Sequence, residues 1–260
     1  MGMENGSPIG KDINRIKYFF DRGIRYMTLT HAADNQVCDS SYDSRNTWNG
    51  LSDFGRKVVR EMNKIGMMID VSHCTDKTFY DILKITNKPL VATHSSPRKF
   101  TPNFERNMSD NMIKDLANNN GLIMLNFGSG FISEQSNKSL GNINSKVEKY
   151  KIENNLEDSD KKLLKYKDDL INSVKPFASI NDFIDTIDYV KELVGIDHIG
   201  LGSDFEGLGN TLPYDLKDAS TYPNILYNLL ERKYSEIEIK KICSDNLFRV
   251  WNANLQNRQI

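Results

Sequence analysis

MMIDVSHCTD, residues 67–76, decides the architecture. Before it, an amphipathic stretch opens at Ser52, carries Phe54, Val58, Val59, Met62 and Ile65 at helical spacing, and stops at Gly66. Met67–Ser72 is apolar almost throughout and bounded by a glycine and a histidine, as a parallel strand covered on both faces should be. After it, Thr75 caps a second helix whose inner side is Phe79, Ile82 and Leu83. Helix, strand and helix in close succession is the unit from which α/β folds are built.

Working outward, the unit repeats. Ile24–Thr30, Pro89–Thr93, Leu122–Phe127 and His198–Ser203 are further short apolar runs with polar or Gly/Pro borders. Ser109 opens a helix with Met112, Ile113 and Leu116. Ser179 with Asp182, and Ser235 with Glu238, are capping boxes, the first ahead of Phe183, Ile184, Ile187 and Val190, the second ahead of Ile239, Ile242 and Leu247. The alternation predicts an α/β fold with a parallel sheet. The 260 residues sit near the roughly 250 of a (β/α)8 barrel, so a single TIM-like barrel domain over residues 1–260 is expected. Ser133–Lys175 breaks the rhythm, being rich in Asn, Lys, Glu and Asp. It is expected to be a helical excursion from a βα loop, either a solvated arm or a lid or subunit contact.

The polar residues fall where such a fold puts its chemistry. His31, His73, His94 and Asp204 each come directly after an apolar run, at the carboxyl end where barrels and open α/β sheets bind ligands. One histidine at a strand end is usually a hydrogen-bonded turn residue. Three of the four in the chain, joined by an aspartate, point instead to a metal or catalytic site. Neutral imidazole with carboxylate is the donor set zinc favours in hydrolytic sites. No HExxH or similar local pattern occurs, so the site must be assembled from separate strands. His198 begins its run and is expected at the opposite end in a structural role.

Composition removes other classes. Lys+Arg number 34 against 35 Asp+Glu, a net charge of −1, which gives no general attraction to nucleic acid or anionic membranes. The 38% hydrophobic content is that of a globular chain. Cys38, Cys74 and Cys243 form no CxxC pair and no disulfide framework, so a reducing, cytoplasmic setting is expected. The first residues carry no apolar leader, Gly6 stands where a myristoylation motif wants Ser or Thr, and no apolar run reaches about 18 residues. GxSxG and phosphate-loop patterns are absent, and Gly200-Leu201-Gly202 meets Phe205 where a dinucleotide fingerprint needs glycine. Cys74 reads as a buried spectator rather than a nucleophile.

MMIDVSHCTD, PLVATHSSPR (89–98), HIGLGSDFEG (198–207), GIRYMTLTHAADN (23–35) and the segment 218–251 together resemble the membrane dipeptidase family of zinc peptidases, from about Gly2 to Trp251. The resemblance implies a (β/α)8 barrel of the metal-dependent hydrolase type with two zinc ions bridged by a glutamate and a water. It implies that His73 and His94 bind the second zinc and that Glu4 is the bridge. It further implies that His31 touches the substrate carbonyl, Arg106 holds the substrate carboxylate, and Asp204 moves protons to the leaving amine. Dipeptides are the implied substrates and a homodimer is one assembly to expect. From the residues alone, Arg106 also reads as a surface partner of Glu105 or Asp110, and Glu4 as a frayed terminal residue.

One departure stands out. The family carries a His-x-Asp pair on the first barrel strand, upstream of the glutamate, for the other zinc; no His-x-Asp occurs in this sequence. The expectation is a barrel incomplete at its N-terminal side, lacking its first strand, with one zinc or none. The alternative to an active dipeptidase is an inactive truncated fragment with a structural or interaction role.

Overall fold

A computed structural model describes residues 1–256 of the chain. Six parallel strands form one sheet in sequence order: β1 (Gly2–Glu4), β2 (Tyr26–Thr28), β3 (Met68–Asp70), β4 (Val91–Ser95), β5 (Leu122–Asn126) and β6 (Ile199–Gly202). Helices α1 (Asn14–Asp21), α2 (Asp53–Ile65), α3 (Asp76–Leu83) and α4 (Asp110–Asn118) return the chain between the first five strands. After β5 come α5 (Ser129–Ile132), α6 (Glu134–Glu153), α7 (Lys161–Val174) and α8 (Ile180–Val194). After β6 come α9 (Tyr222–Glu231), α10 (Glu236–Lys240) and α11 (Asn246–Leu255).

The caps fall where the sequence puts them. Ser52, Thr75, Ser109, Ser179 and Ser235 each accept a backbone N–H three residues on, and Asp182 and Glu238 complete reciprocal boxes. The strands are apolar because both faces are covered. Met27, Ile69, Ala92 and Ile123 face the helices, while Met68, Val91 and Leu122 face inward against Val250 and Trp251 of α11. Phe127 packs on Phe183 at a centroid distance of 4.4 Å and ties the top of β5 to α8.

The sheet is an incomplete (β/α)8 barrel. Among the described residues β1 pairs only with β2 and β6 only with β5, so the wall is open between them. Six strands leave it two short of eight, where a single absent strand was expected. A cavity of about 550 Å3 fills the lumen, lined by Glu4, Thr28, Thr93, His94 and Asp204 above and Trp251 below.

Three boundaries differ from the sequence reading. Gly2–Glu4 is a strand in register with Tyr26–Thr28, so Glu4 is held by the sheet rather than frayed. His94 lies inside β4, not beyond it, because the ladder runs on to Ser95 opposite Leu125 past an irregularity. The final helix is broken: residues Lys241–Asp245 form a π-helical turn between α10 and α11. Within residues 133–175 lie the helices α6 and α7, packed on each other.

Candidate metal centre

Glu4 ends β1, and its side chain turns over the rim of the sheet. Its Oε1 lies 3.1 Å from Nε2 of His73 and 3.1 Å from Nε2 of His94, and those two nitrogens are 2.9 Å apart. His31 sits outside this triangle, with Nε2 3.8 Å from the same oxygen and its ring 4.5 Å from that of His73. Donor atoms of Glu4, His31 and His73 all lie within 4.8 Å of one another. Ligand atoms on one ion with bonds near 2.0–2.1 Å stand roughly 3.3 Å apart, so the Glu4, His73 and His94 donors fit a single small cation.

Electrostatics agree with that use. Burial pushes the His73 imidazole down to about 3, against the pull of Glu4, and the nearby Arg106 charge adds to the effect. The neighbouring imidazoles, His73 foremost and then His94, hold the Glu4 carboxyl well below the usual carboxylate range. At neutral pH the cluster offers a neutral imidazole in His73 and an ionised carboxylate in Glu4, the forms that bind metal. His73 Nδ1 is buried without a partner.

The backbone is bent to build the site. His73 has φ of +69° and Asp204 φ of +54°, in the left-handed region that costs side chains of this kind about 1–3 kcal/mol. Each follows its strand and swings its side chain back over the lumen. Asn126, at the end of β5, donates from Nδ2 to Oδ2 of Asp204 at 3.0 Å and fixes its orientation.

Arg106 is 3% exposed. Its Nη1 donates to Ser95 Oγ at 2.8 Å, its guanidinium lies 5.4 Å from the Phe131 ring centre, and Nε and Nη2 have no partner. The surface pairing is excluded, since Glu105 instead accepts from the Asp76 amide and Asp110 from the Tyr189 hydroxyl. A buried cation with free donors is costly unless an anion joins it. Phe104 packs on Phe131 and Tyr42, and Tyr42 lies over His73, making an aromatic wall beside the cluster.

The structure therefore brings Glu4, His73 and His94 together, sets His31 at their edge, and places Arg106 and Asp204 around the same opening. His198 lies at the other end, bonded through Nδ1 to the Gly121 carbonyl. Cys74 is buried. The sequence reading missed Asn126, the aromatic wall, and Asp70 with Thr28 and Thr93 beneath the histidines. For Asp70 a signal existed: a carboxylate in the middle of an apolar strand.

A parallel α/β barrel wall with imidazoles and carboxylates gathered at its carboxyl end is the architecture of barrel metallohydrolases. The membrane dipeptidase (peptidase family M19) model matches residues 1–259, and the chain belongs to that family. It is 32% identical over 250 residues to the dipeptidase tcpJ of Claviceps purpurea, covering 96% of this chain and 49% of that protein. It is 32% identical over 254 residues to an uncharacterized dipeptidase of Schizosaccharomyces pombe, covering 97% of this chain and 52% of that one. The chain thus spans about half the length of the curated relatives it matches. The probable dipeptidase PvdM of Pseudomonas aeruginosa superposes with a TM-score of 0.82 at 26% identity, over 99% of this chain and 69% of PvdM. A Rhodobacter sphaeroides metallopeptidase, solved with a phosphinate mimic of the dipeptide L-Ala-D-Ala, shares the fold with a TM-score of 0.76 at 24% identity, over 98% of this chain and 62% of that one. No described helix is long and apolar enough to cross a membrane.

Proposed function

We propose that the chain acts as a zinc-dependent dipeptidase that hydrolyses the peptide bond of small dipeptides. The observation that carries this reading is the convergence of Glu4, His73 and His94 on one point beside the half-free, buried guanidinium of Arg106. Zinc held there supplies an acidified water and a polarised carbonyl. The remaining roles belong to the chain. Arg106 pairs through Nε and Nη2 with the substrate carboxylate, using the planar fork that suits it. His31, half-exposed at the rim, donates where negative charge develops on the carbonyl oxygen. Asp204, oriented by Asn126, accepts a proton and delivers it to the leaving nitrogen. The names of the relatives, and the dipeptide mimic on one of them, support the substrate class.

A second reading, an inactive polypeptide with an interaction role, is favoured by the absence of His-x-Asp, which leaves Glu4 alone of the ligands expected at the other zinc. Zinc analysis and a dipeptide assay on the purified chain separate the two. Zinc-dependent turnover abolished by Asp204→Asn supports the hydrolase. Bound zinc without turnover establishes the second reading for this polypeptide, and failure to bind zinc overturns the metal site.

A further inference from the structure

Beneath the histidines, Asp70 is fully buried at the end of β3 and makes no salt bridge among the described residues. Its Oδ1 accepts the backbone N–H of Ser72 at 3.0 Å and of Thr93 at 2.9 Å. Its Oδ2 accepts the hydroxyls of Thr28 and of Thr93, the latter at 2.6 Å. Backbone amides only donate, so the group they meet is an acceptor. The Thr93 hydroxyl has one hydrogen, and it goes to Asp70. That hydroxyl also lies 2.8 Å from Nδ1 of His94, and with its hydrogen spent it can only accept there.

We infer that Asp70 and Thr93 are positioning residues that set the proton on Nδ1 of His94 and so leave Nε2 as the free lone pair facing Glu4 and His73. A histidine ligand whose remote nitrogen is tied through a hydroxyl to a buried carboxylate is fixed in tautomer and ring angle before metal arrives. His73 has no such support, since its Nδ1 is without a partner. His94 is therefore the pre-set ligand of the pair and His73 the adaptable one. The inference rests on reading the cluster as a metal site, but the tautomer itself is a property of the metal-free chain.

The test uses Thr93→Val, which keeps the side-chain shape and removes the hydroxyl, with Thr93→Ser as the conservative rescue. Nitrogen-15 NMR of the metal-free chain should show the wild-type His94 proton on Nδ1, with Thr93→Val shifting population to Nε2 and Thr93→Ser restoring Nδ1. Zinc affinity, measured by competition with a chromophoric chelator, should fall about 10- to 100-fold in Thr93→Val and stay within about threefold in Thr93→Ser. Asp70→Asn presents an amide that can donate to Thr93, turning the hydroxyl toward His94 and driving the proton to Nε2. If Asp70→Asn fails to fold, the threonine pair still decides. A wild-type His94 protonated on Nε2, or a Thr93→Val chain with unchanged spectrum and affinity, overturns the inference. A wild-type chain that shows the Nδ1 tautomer but binds no zinc overturns the proposed function and leaves the relay standing.

Discussion

The two ends of the sheet use the same residue types to opposite purpose. At the lower, amino end, His198 is bonded to the Gly121 carbonyl, and Arg249 donates to the carbonyls of Asn120, Gly121 and Asp197. Asn246 donates to Ile196 and Ile199, and Asn254 to Pro89. These groups close loops against α11. At the upper end, Arg106 makes one hydrogen bond and leaves two nitrogens free, His73 leaves Nδ1 free, and both His73 and Asp204 sit at positive φ. Folding pays for that end and is repaid only if ligands arrive. The difference teaches that neither residue type nor an unmet polar atom alone locates the chemistry. Arg249 Nε, Trp251 Nε1 and Asn254 Oδ1 also go without a partner at the lower end, and Asn120 sits there at positive φ. What marks the upper end is free donors gathered around one opening.

The strongest way to break this contrast is to remove a histidine from each end. His73→Ala and His94→Ala should each weaken zinc binding by more than about a hundredfold, since a lost ligand outweighs a lost supporting group. His198→Ala should leave zinc binding unchanged and lower stability by roughly 1 kcal/mol, the worth of one hydrogen bond. Chelator competition and urea unfolding read the two quantities. Equal losses of zinc from all three variants would defeat the assignment of the ends.

The arginines give the next largest effect. Arg106→Met should lower kcat/KM for a dipeptide roughly tenfold to a hundredfold, from a lost charge-assisted pair of about 1.5–3 kcal/mol, while stability holds or rises because a buried, under-paired charge is gone. Arg249→Met should do the reverse, lowering stability by about 1–3 kcal/mol as three carbonyls lose a donor, with kinetics unchanged. Steady-state kinetics beside thermal melts of both variants will show whether the effects cross over in this way. An Arg106→Met chain as destabilised as Arg249→Met would make Arg106 a structural residue.

What the sequence revealed follows the same division. Helix starts were legible because capping is local: Ser52, Thr75 and Ser109 need only the amide three residues on. His73 and Asp204 were legible because apolar runs deliver them to one edge. Glu4 was legible only by resemblance, since Gly2–Glu4 is too short and too little apolar to signal a strand; its order comes from pairing with Tyr26–Thr28, a long-range event. The Asp70–Thr93–His94 chain was hidden for a related reason. Its members belong to adjacent strands, and only the register of β3 against β4 brings them together. The break at Lys241–Asp245 carries no glycine or proline to announce it.

The smallest effect probes a carboxylate at the lower end that mirrors Glu4. Glu238 accepts from the Lys191 ammonium at 2.6 Å and from the amide and hydroxyl of Ser235, and these bonds, Lys191 foremost, hold its carboxyl down to about 2. A carboxyl lower in the folded chain than in the unfolded one adds stability above about pH 4.5, and that contribution is lost as pH falls toward 2. Glu238→Gln keeps the capping geometry and removes the charge. The wild-type advantage over this variant should be under about 1 kcal/mol near neutral pH, because the pair is partly exposed and screened, and it should vanish on acidification. Zinc binding should be untouched. Glu4 is held low by imidazoles instead of an ammonium, so Glu4→Gln should invert the pattern, abolishing zinc binding with little change in urea midpoint. If Glu4→Gln proved the more destabilising of the two, the upper carboxylate would be serving the fold, and the distinction between the ends would fail at its central residue.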